Sequence, residues 1–322
     1  MITHEIHEQM LMTLLAPIGE LLTDPSISEI MLNGPNEVYC ERAGKLSRCR
    51  ASFGSDAALL AALRNIAQFV GRPFDRQHPI LEGRLPDGSR VQAVIPPAAP
   101  VGPMVSIRRF SKVAMTVERL VDNGTLDRVL AQTLQRAVYS KRNVIVSGGT
   151  GSGKTSLLNA LSSFIPDDER VVVIEDSREL QLQRSHVVNL EAQPGDAAGR
   201  GRIEIRELFR ASLRMRPDRI VLGEIRGAEA VELIQAMTSG HGGCLCTLHA
   251  SHPHDALARL ETMASMSELQ MPLRALREQI ASGVDLVVQI ERQRNGQRRV
   301  TQVAQVGGLD DAGRYLWQEV GS

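Results

Sequence analysis

The chemistry that this sequence could perform on phosphates is concentrated in eight residues, GGTGSGKT, at positions 148–155. They satisfy the pattern G-x-x-x-x-G-K-[ST], in which glycines let consecutive backbone N–H groups turn toward one anion. An apolar run precedes the motif, and residues 156–161 after it resemble the start of a helix. The N-terminus of that helix would add partial positive charge at the same point. The pattern predicts a nucleotide-binding loop, with a chance glycine cluster in a surface turn as the alternative.

Each residue of this phosphate loop (residues 148–155) has an expected part in binding ATP and Mg²⁺. Lys154 would lie between the β- and γ-phosphates, and the hydroxyl of Thr155 would hold a Mg²⁺ that bridges them. The other positions expected to contact the nucleotide are Gly148, Gly149, Thr150, Gly151, Ser152, Gly153 and Ser156. We therefore predict that the chain binds a nucleoside triphosphate and hydrolyses it.

An ATPase also needs carboxylates at strand ends, where they position Mg²⁺ and the attacking water. One apolar run is followed by Glu175 and Asp176, and a second is followed by Gly223 and Glu224. Asp commonly precedes Glu in strands of the second kind, and Gly223 replaces it here. The sequence favours Glu224 as the base that orients water, with Glu175 helping to hold the water shell of the metal. The alternative for each is a solvated charge at a strand end.

Residues 239–254, SGHGGCLCTLHASHPH, hold four of the eight histidines of the chain and two of its cysteines. One interpretation is a zinc site with ligands drawn from Cys244, Cys246, His249, His252 and His254. The spacing C-x-C-x-x-H matches no common structural zinc pattern, so buried apolar thiols are favoured for both cysteines. His241 and His249 would instead flank a strand beside the nucleotide strands, where an imidazole could sense the γ-phosphate or the water.

The composition limits the classes of function. With 322 residues, 43% of them hydrophobic, the chain can form two domains that each have a core. Its 37 basic and 37 acidic residues give no net charge, and only six Phe, three Tyr and one Trp are aromatic, which argues against a nucleic-acid partner. The cysteines form no CxxC pair, and neither a signal peptide nor an apolar run of about 18 residues is visible. These features favour a cytoplasmic protein with no direct membrane span.

The elements that would position these residues alternate between strand and helix. The second half predicts strands and helices in turn at 143–147, 154–163, 171–175, 204–214, 219–223, 227–238, 243–248 and 253–264. Such alternation builds a parallel sheet with helices on both faces. The first part predicts a helix at 5–22 interrupted by Pro17, a helix at 56–70, and strands near 29–32, 37–42, 84–95 and 105–110. We predict an N-terminal α/β domain at 1–110, a hinge linker at 111–116 and a C-terminal α/β domain with a mainly parallel sheet at 117–322.

The order of four motifs matches one known family. GGTGSGKT, VVVIEDSRELQL, RMRPDRIVLGEIRG and SGHGGCLCTLHA resemble the phosphate loop, Asp box, Walker B segment and His box of type II/type IV secretion ATPases. The N-terminal segments SEIMLNGPNEVYCERAGKL and GRLPDGSRVQAVIPPAAPVGPMVSIRRF are similar to the CpaF/TadA-like tight-adherence pilus and conjugal-transfer branches. The resemblance spans about residues 25 to 290.

The resemblance implies an architecture and a set of site residues. It implies a PAS-like N-terminal domain and a RecA-like P-loop domain that hold ATP between them, assembled as a homo-hexameric ring. The residues that correspond to the family's phosphate-loop, Asp-box, Walker B and His-box positions are Lys154, Thr155, Glu175, Glu224, His241 and His249, and its phosphate-reaching arginines correspond to Arg90 and Arg108. Arg226 also matches the family pattern. The implied function is a motor for pilus assembly or secretion, held at the inner membrane through a platform or secretion-channel protein.

A row of arginines leaves a second function open. Arg206, Arg210 and Arg214 recur every four residues, so on a helix they would line one face. They could pair with acids of a neighbouring subunit, or they could contact DNA in a RecA-like nucleic-acid-dependent motor. The neutral net charge favours the subunit interface. A third hypothesis, a nucleotide-gated structural subunit with little turnover, is disfavoured by Glu175 and Glu224.

Overall fold

The computed structural model describes residues 2–42, 44–110, 115–195, 199–269 and 271–320. These residues fall into two compact units, the first within residues 2–110 and the second within residues 115–195 and 199–320. Each unit is mixed α/β and is built around one large sheet. Residues 111–114 of the predicted hinge lie outside the described residues. Among the helices that the structure describes, none combines the length and apolar character needed to cross a bilayer.

The first unit consists of an antiparallel sheet and three α-helices within its described residues. In chain order its elements are α1 (Ile2–Leu14), a 3₁₀ turn (Ala16–Ile18), α2 (Gly19–Thr23), β1 (Ile27–Asn33), β2 (Val38–Arg42), β3 (Lys45–Cys49), α3 (Asp56–Phe69), β4 (Ile80–Arg84), β5 (Arg90–Val94) and β6 (Met104–Arg108). The strand order is β3-β2-β1-β6-β5-β4. The interruption predicted at Pro17 is confirmed, because the chain there leaves the α-helix for a 3₁₀ turn.

The core of the first unit follows from alternation along the strands. In β1 the side chains of Ile30 and Leu32 are buried while their neighbours are half-exposed or exposed, as expected for a sheet with one covered face. Helix α3 turns Leu59, Leu63 and Ile66 toward the same core, at the spacing that puts residues on one helix face. Ser55 caps this helix by accepting a hydrogen bond from the N–H of Ala58 at 3.2 Å. Helix α3 therefore packs on one face of the sheet, as expected for an α/β domain.

The second unit contains the remaining elements. They are α4 (Val117–Asp122), α5 (Arg128–Tyr139), β7 (Val144–Ser147), α6 (Lys154–Ser162), β8 (Val171–Glu175), β9 (Val187–Glu191), β10 (Gln193–Pro194), β11 (Arg202–Ile203), α7 (Ile205–Ser212), β12 (Arg219–Leu222), α8 (Glu229–Thr238), β13 (Leu245–Leu248), α9 (Pro253–Ser265), α10 (Leu273–Gly283), β14 (Leu286–Arg292), β15 (Arg298–Leu309) and β16 (Tyr315–Glu319). The large sheet has the order β16-β15-β14-β7-β13-β12-β8-β9. Neighbours from β14 to β9 are parallel, and β15 and β16 continue the sheet as antiparallel strands.

The central strands β7, β8, β12 and β13 are buried along their whole length. Continuous apolar runs of this kind are typical of parallel strands covered by helices on both faces. Two apolar clusters, one on each face, supply that cover. Because the four strands are parallel, their carboxyl ends meet at one edge of the sheet, and the loops that follow them lie close together.

The row of arginines differs from its prediction. Helix α7 ends at Ser212, so Arg214 lies beyond the helix and does not share its face. Arg206 and Arg210 both bind Glu232 of α8 in the same chain, at 2.8 and 2.7 Å. Since Glu232 is buried, the two guanidinium groups neutralise a carboxylate that would be costly to leave unpaired. The acid that these two side chains contact therefore belongs to their own chain, and the pairing with a neighbouring subunit stays a prediction.

Candidate functional site

The phosphate loop joins the end of β7 to the start of α6, and its backbone requires glycine. Gly151 and Gly153 have φ values of 69° and 99°, in the left-handed region that favours glycine. At Gly148 the limit is space, because a Cβ atom there would lie 2.2 Å from the carbonyl oxygen of Ile290. Glycine is therefore required at Gly148 by space and at Gly151 and Gly153 by backbone conformation.

Lys154 is buried within the loop that it follows. Its Nζ donates to the carbonyl oxygens of Gly148 and Gly149, at 3.0 and 2.9 Å. The two ring nitrogens of His249 lie 3.3 and 3.4 Å from the same Nζ. Burial and the adjacent Lys154 ammonium lower the pKa of His249, so the imidazole is neutral at neutral pH.

Glu224 continues this set of contacts across the sheet edge. Its Oε1 lies 2.6 Å from Nε2 of His249, and its Oε2 lies 2.6 Å from the guanidinium of Arg226. Arg226 also binds Asp176 at 2.9 Å. A continuous series of polar contacts thus runs from Lys154 to Asp176, through residues that follow β7, β13, β12 and β8. Glu224 stands at its centre, between two nitrogen-bearing side chains.

The loop after β12 is held in place by the first turn of α8. The backbone N–H groups of Arg226 and Gly227 both donate to Oε1 of Glu229, at 2.6 and 2.9 Å. Glu229 is buried, so these hydrogen bonds are shielded from water. The position of Arg226, and through it that of Glu224, is therefore fixed by backbone contacts as well as by charge.

Glu175 is nearly inaccessible to solvent, with 4% of its surface exposed. Its Oε1 accepts hydrogen bonds from the N–H groups of Glu179 and Leu180, at 2.9 and 3.0 Å. Burial raises the pKa of Glu175 to about 7. A Cβ atom at Gly223 would lie 2.9 Å from Cγ of Glu175. The glycine that replaces the usual Asp therefore makes room for the buried carboxyl on the next strand.

His241 lies away from these contacts. It precedes β13, whereas His249 follows it, and a strand of four residues is about 13 Å long. The N–H of His241 donates to the carbonyl of Ala236, and its own carbonyl accepts from the thiol of Cys244 at 3.2 Å. The structure therefore brings together Lys154, His249 and Glu224 but places His241 at the opposite end of the sheet.

The cysteines of this segment are part of the core. Cys244 and Cys246 are 1% and 0% exposed, and burial raises the pKa of Cys244 to about 12. A protonated thiol is a poor metal ligand. Over the described residues, no group of three or more His, Cys, Asp or Glu side chains could hold a metal ion. The two thiols act as small apolar groups between the layers.

Sequence reasoning missed the residues that hold the loops in position. Gln289, buried in β14, accepts a hydrogen bond from the hydroxyl of Ser147 and donates to the carbonyl of Ser251 at 2.8 Å. It thereby connects the end of β7 to the segment after His249. Thr247 donates to the carbonyl of Gly223 at 2.6 Å. The sequence signal for Gln289 was a polar residue inside an apolar strand, LVVQI. A buried amide needs hydrogen-bond partners, so such a residue indicates a contact to another segment.

Arg90 and Arg108 belong to the first unit. They lie opposite each other on β5 and β6, and Arg84 lies opposite Arg90 on β4. Arg90 also approaches Glu82, with Nη2 3.6 Å from Oε1. Three arginines in register across neighbouring strands concentrate positive charge at one end of this sheet.

Comparisons with known proteins identify relatives over nearly the whole chain. A family model described as "Type II/IV secretion system protein" matches residues 13–322. Conjugal transfer protein TrbB of Rhizobium radiobacter is 33% identical over 292 residues, covering 89% of this chain and 86% of that protein. Type IV secretion system protein PtlH of Bordetella pertussis is 35% identical over 316 residues, covering 89% of this chain and 93% of that protein.

A solved structure agrees with these relatives. The VirB11 ATPase from the Brucella suis type IV secretion system, in complex with sulphate, is 30% identical, with a TM-score of 0.50 and coverage of 95% of this chain and 97% of that one. The resemblance predicted from the four motifs is thus confirmed. The chain belongs to the type II/IV secretion system protein family.

Proposed function

We propose that this protein is an ATP-hydrolysing ring motor that couples hydrolysis to domain movement and to an inner-membrane secretion or pilus-assembly machine. The observation that carries the proposal is the series of contacts from Lys154 through His249 to Glu224. The prediction of a secretion ATPase, rather than a nucleic-acid-dependent motor, is confirmed by the family match and by the similarity to the VirB11 ATPase.

We assign ATP binding to the phosphate loop. Lys154 would exchange its contacts with loop carbonyls for oxygens of the β- and γ-phosphates, which are stronger acceptors because they are charged. Thr155, half-buried in the first turn of α6, would hold a Mg²⁺ through its hydroxyl. Glu175 would help to hold the water shell of that ion. Burial raises the pKa of its carboxyl, and a nearby divalent cation would favour the charged form that binds such water. Bound Mg²⁺ would neutralise charge that develops on the phosphates.

Glu224 is the residue that we assign to the attacking water. Its Oε2 is held by Arg226, while its buried Oε1 lies beside His249 without a hydrogen-bond partner, so that oxygen can accept a proton from water or orient it. His249 contacts both Lys154 and Glu224, so it would register the movement of the lysine toward a γ-phosphate. We assign His241 no part in the chemistry of this phosphate loop.

The wider architecture is part of the proposal. We infer a PAS-like domain at 1–110, a hinge at 111–116 and a RecA-like domain at 117–322, with Arg90 and Arg108 supplying positive charge to the triphosphate. The RecA-like assignment is supported by the parallel strand order, and the role of the arginines by their register on β5 and β6. We further propose a homo-hexamer in the cytoplasm, bound at the inner membrane through a platform or secretion-channel protein.

Two substitutions test the catalytic assignment. Lys154→Ala should abolish hydrolysis and weaken ATP binding, because the cation that contacts the phosphates is lost. Glu224→Gln should retain ATP binding but lower kcat by about 10² or more, the usual effect of removing a general base. Turnover and ATP affinity would be measured for both variants.

The matched control is Glu319→Gln, on an exposed residue of β16. It should leave both quantities unchanged. Unaltered turnover in Lys154→Ala and Glu224→Gln would refute the assignment. Adding duplex and single-stranded DNA at low and moderate salt tests the alternative motor, since DNA-stimulated hydrolysis that declines steeply with salt would favour it.

A further inference from the structure

The hairpin of β14 and β15 forms a wall against the phosphate loop. A Cβ atom at Gly148 would meet the carbonyl oxygen of Ile290, and one at Gly153 would lie 2.9 Å from Cδ of Arg298. Nε of Arg298 donates to the carbonyl oxygen of Gly151 at 3.1 Å. The tip of the loop is therefore both packed against the hairpin and hydrogen-bonded to it.

The start of β15 is anchored on its other side. The N–H of Val300 donates to the carbonyl of Thr125 at 2.7 Å, and Nε2 of Gln297 donates to the carbonyl of Asn123 at 3.0 Å. Both acceptors precede α5, a helix of the same unit. Although Arg298 is exposed, its backbone is thus held between two fixed neighbours.

The hydrogen bond from Arg298 has a consequence for the next peptide group. In a trans peptide the C=O and N–H point in opposite directions, so a carbonyl of Gly151 bound to Arg298 turns the N–H of Ser152 away from the hairpin. That N–H lies 3.4 Å from the carbonyl oxygen of Gly149, which also accepts from Nζ of Lys154. The amide of Ser152 and the ammonium of Lys154 therefore converge on the same side of the loop.

We propose that Arg298 is a positioning residue for nucleotide binding, which holds the peptide between Gly151 and Ser152 so that its N–H faces the phosphates. The inference rests on the proposed function of the loop. Arg298 acts through the backbone and contacts the outer side of the loop, where the carbonyl oxygen of Gly151 points. Without it, rotation of this peptide would present a carbonyl oxygen to the anion in place of a donor.

The test compares Arg298→Gln with Arg299→Gln, the neighbouring arginine, which is exposed and lies opposite Glu291 on β14. Arg298→Gln should raise the KM for ATP and the Kd for ADP by about fivefold to tenfold, the effect of one lost hydrogen bond to a charged donor at an exposed position. The kcat should stay within about twofold, because the loss affects ground state and transition state alike. Arg298→Lys, which keeps the charge and a donor, should restore part of the affinity.

Two further measurements distinguish a positioning role of Arg298 from a structural one. The melting temperature without nucleotide should be the same in both Gln variants and the wild type, while the increase produced by saturating ADP should be smaller in Arg298→Gln. Equal ADP affinity in the wild type, Arg298→Gln and Arg299→Gln would overturn the role of Arg298 but not the proposed function of the loop. A wild type that binds no ADP and hydrolyses no ATP would overturn the proposed function with it. A loss of melting temperature and of kcat in Arg298→Gln, without a selective loss of affinity, would assign the arginine to folding instead.

Discussion

At the scale of single residues, the site combines groups whose protonation depends on burial. Glu175 is enclosed beneath the loop that follows β8, and Gly223 leaves space for it. Asp at position 223 would place a second carboxyl against the first, with a steric overlap and a like charge in a region with little water. Glycine replaces the usual Asp at position 223 because the side chain of Glu175, on the neighbouring strand, occupies the space.

The raised pKa of Glu175 predicts a pH-dependent stability. The ordinary value is 4.5 and the folded value is about 7. Between these values the native state binds more protons than the unfolded state, so the contribution to stability is complete below the lower value and is lost as the pH rises through the upper one. Glu175→Gln keeps an oxygen acceptor for Glu179 and Leu180 and removes the titration. It should gain up to about 3 kcal/mol relative to the wild type between pH 4.5 and 8.

Urea unfolding at pH 5 and pH 8 would measure this difference. Glu319→Gln, on an exposed carboxylate, is the matched control and should shift the free energy of unfolding equally at both pH values. If the difference between Glu175→Gln and the wild type were the same at pH 5 and pH 8, Glu175 would not carry the raised pKa.

Some residues of the site could be predicted from the sequence, and others could not. The glycines of the phosphate loop and Lys154 follow from local backbone geometry, which a short motif encodes. Gln289 depends on hydrogen bonds to Ser147 and to the segment after His249, residues far from it in the chain. His241 and His249 belong to one motif, yet a single strand separates them, which a list of motif residues does not convey. Long-range partners are the part that the sequence alone leaves open.

At the scale of elements, the parallel strands were predictable because each is a continuous apolar run. The predicted strands at 143–147, 171–175 and 219–223 agree with β7, β8 and β12 to within a residue. Strand β9 was missed, because it lies at the sheet edge and is only half-buried, and the exposed Asn189 interrupts its apolar residues. Helix α10 was also missed, since only Leu276, Ile280 and Gly283 of its residues are buried. Elements with few buried positions leave a weak pattern.

The end of the sheet opposite the phosphate loop contains a buried ion pair. Arg219, whose side chain is fully buried, binds Glu169 and donates to the carbonyl of Val138 at 2.7 Å. A Cβ atom at Gly243 would overlap the guanidinium, so the chain closes around it. Lys141 also contacts Glu169, at 3.2 Å, but from the surface.

This arrangement predicts unequal effects of two substitutions. Glu169→Ala should lower the free energy of unfolding by about 3 kcal/mol, since it leaves the charge of Arg219 buried without its partner. Lys141→Ala, the control, should cost less than about 1 kcal/mol because the ammonium of Lys141 is exposed to water and Glu169 keeps Arg219 as its partner. Denaturant unfolding would measure both, and kcat at low temperature should remain unchanged. Equal losses in the two variants would show that the buried pair of Arg219 and Glu169 contributes no more to the free energy of unfolding than the contact of Lys141 does.

At the scale of the whole molecule, we propose that residues of both units take part in hydrolysis. The second unit contains the phosphate loop, Glu224 and His249, whereas Arg90 and Arg108 belong to the first. A planar guanidinium can bind two oxygens of a phosphoryl group on which charge accumulates. If both arginines act on the triphosphate, hydrolysis requires the first unit even though binding does not.

We therefore predict that Arg90→Gln and Arg108→Gln each lower kcat by about 10² or more while the Kd for ADP changes by less than about threefold. The double variant should be little worse than either single variant, because the two side chains act as one unit. Arg48→Gln, on an exposed arginine of β3, is the control. Light scattering with and without nucleotide would establish whether the ring is intact. Normal turnover with an intact ring would contradict the assignment of both arginines.

The wall that β14 and β15 form against the phosphate loop also concerns how the protein is made. Strand β7 lies between β13 and β14, and both leave the ribosome long after the GGTGSGKT motif has been synthesised. Until residues 286–298 emerge, the nascent loop lacks Ile290, which packs against Gly148, and Arg298, which orients its tip. Translation therefore delays the moment at which the phosphate loop gains the strands that pack against it and orient its tip.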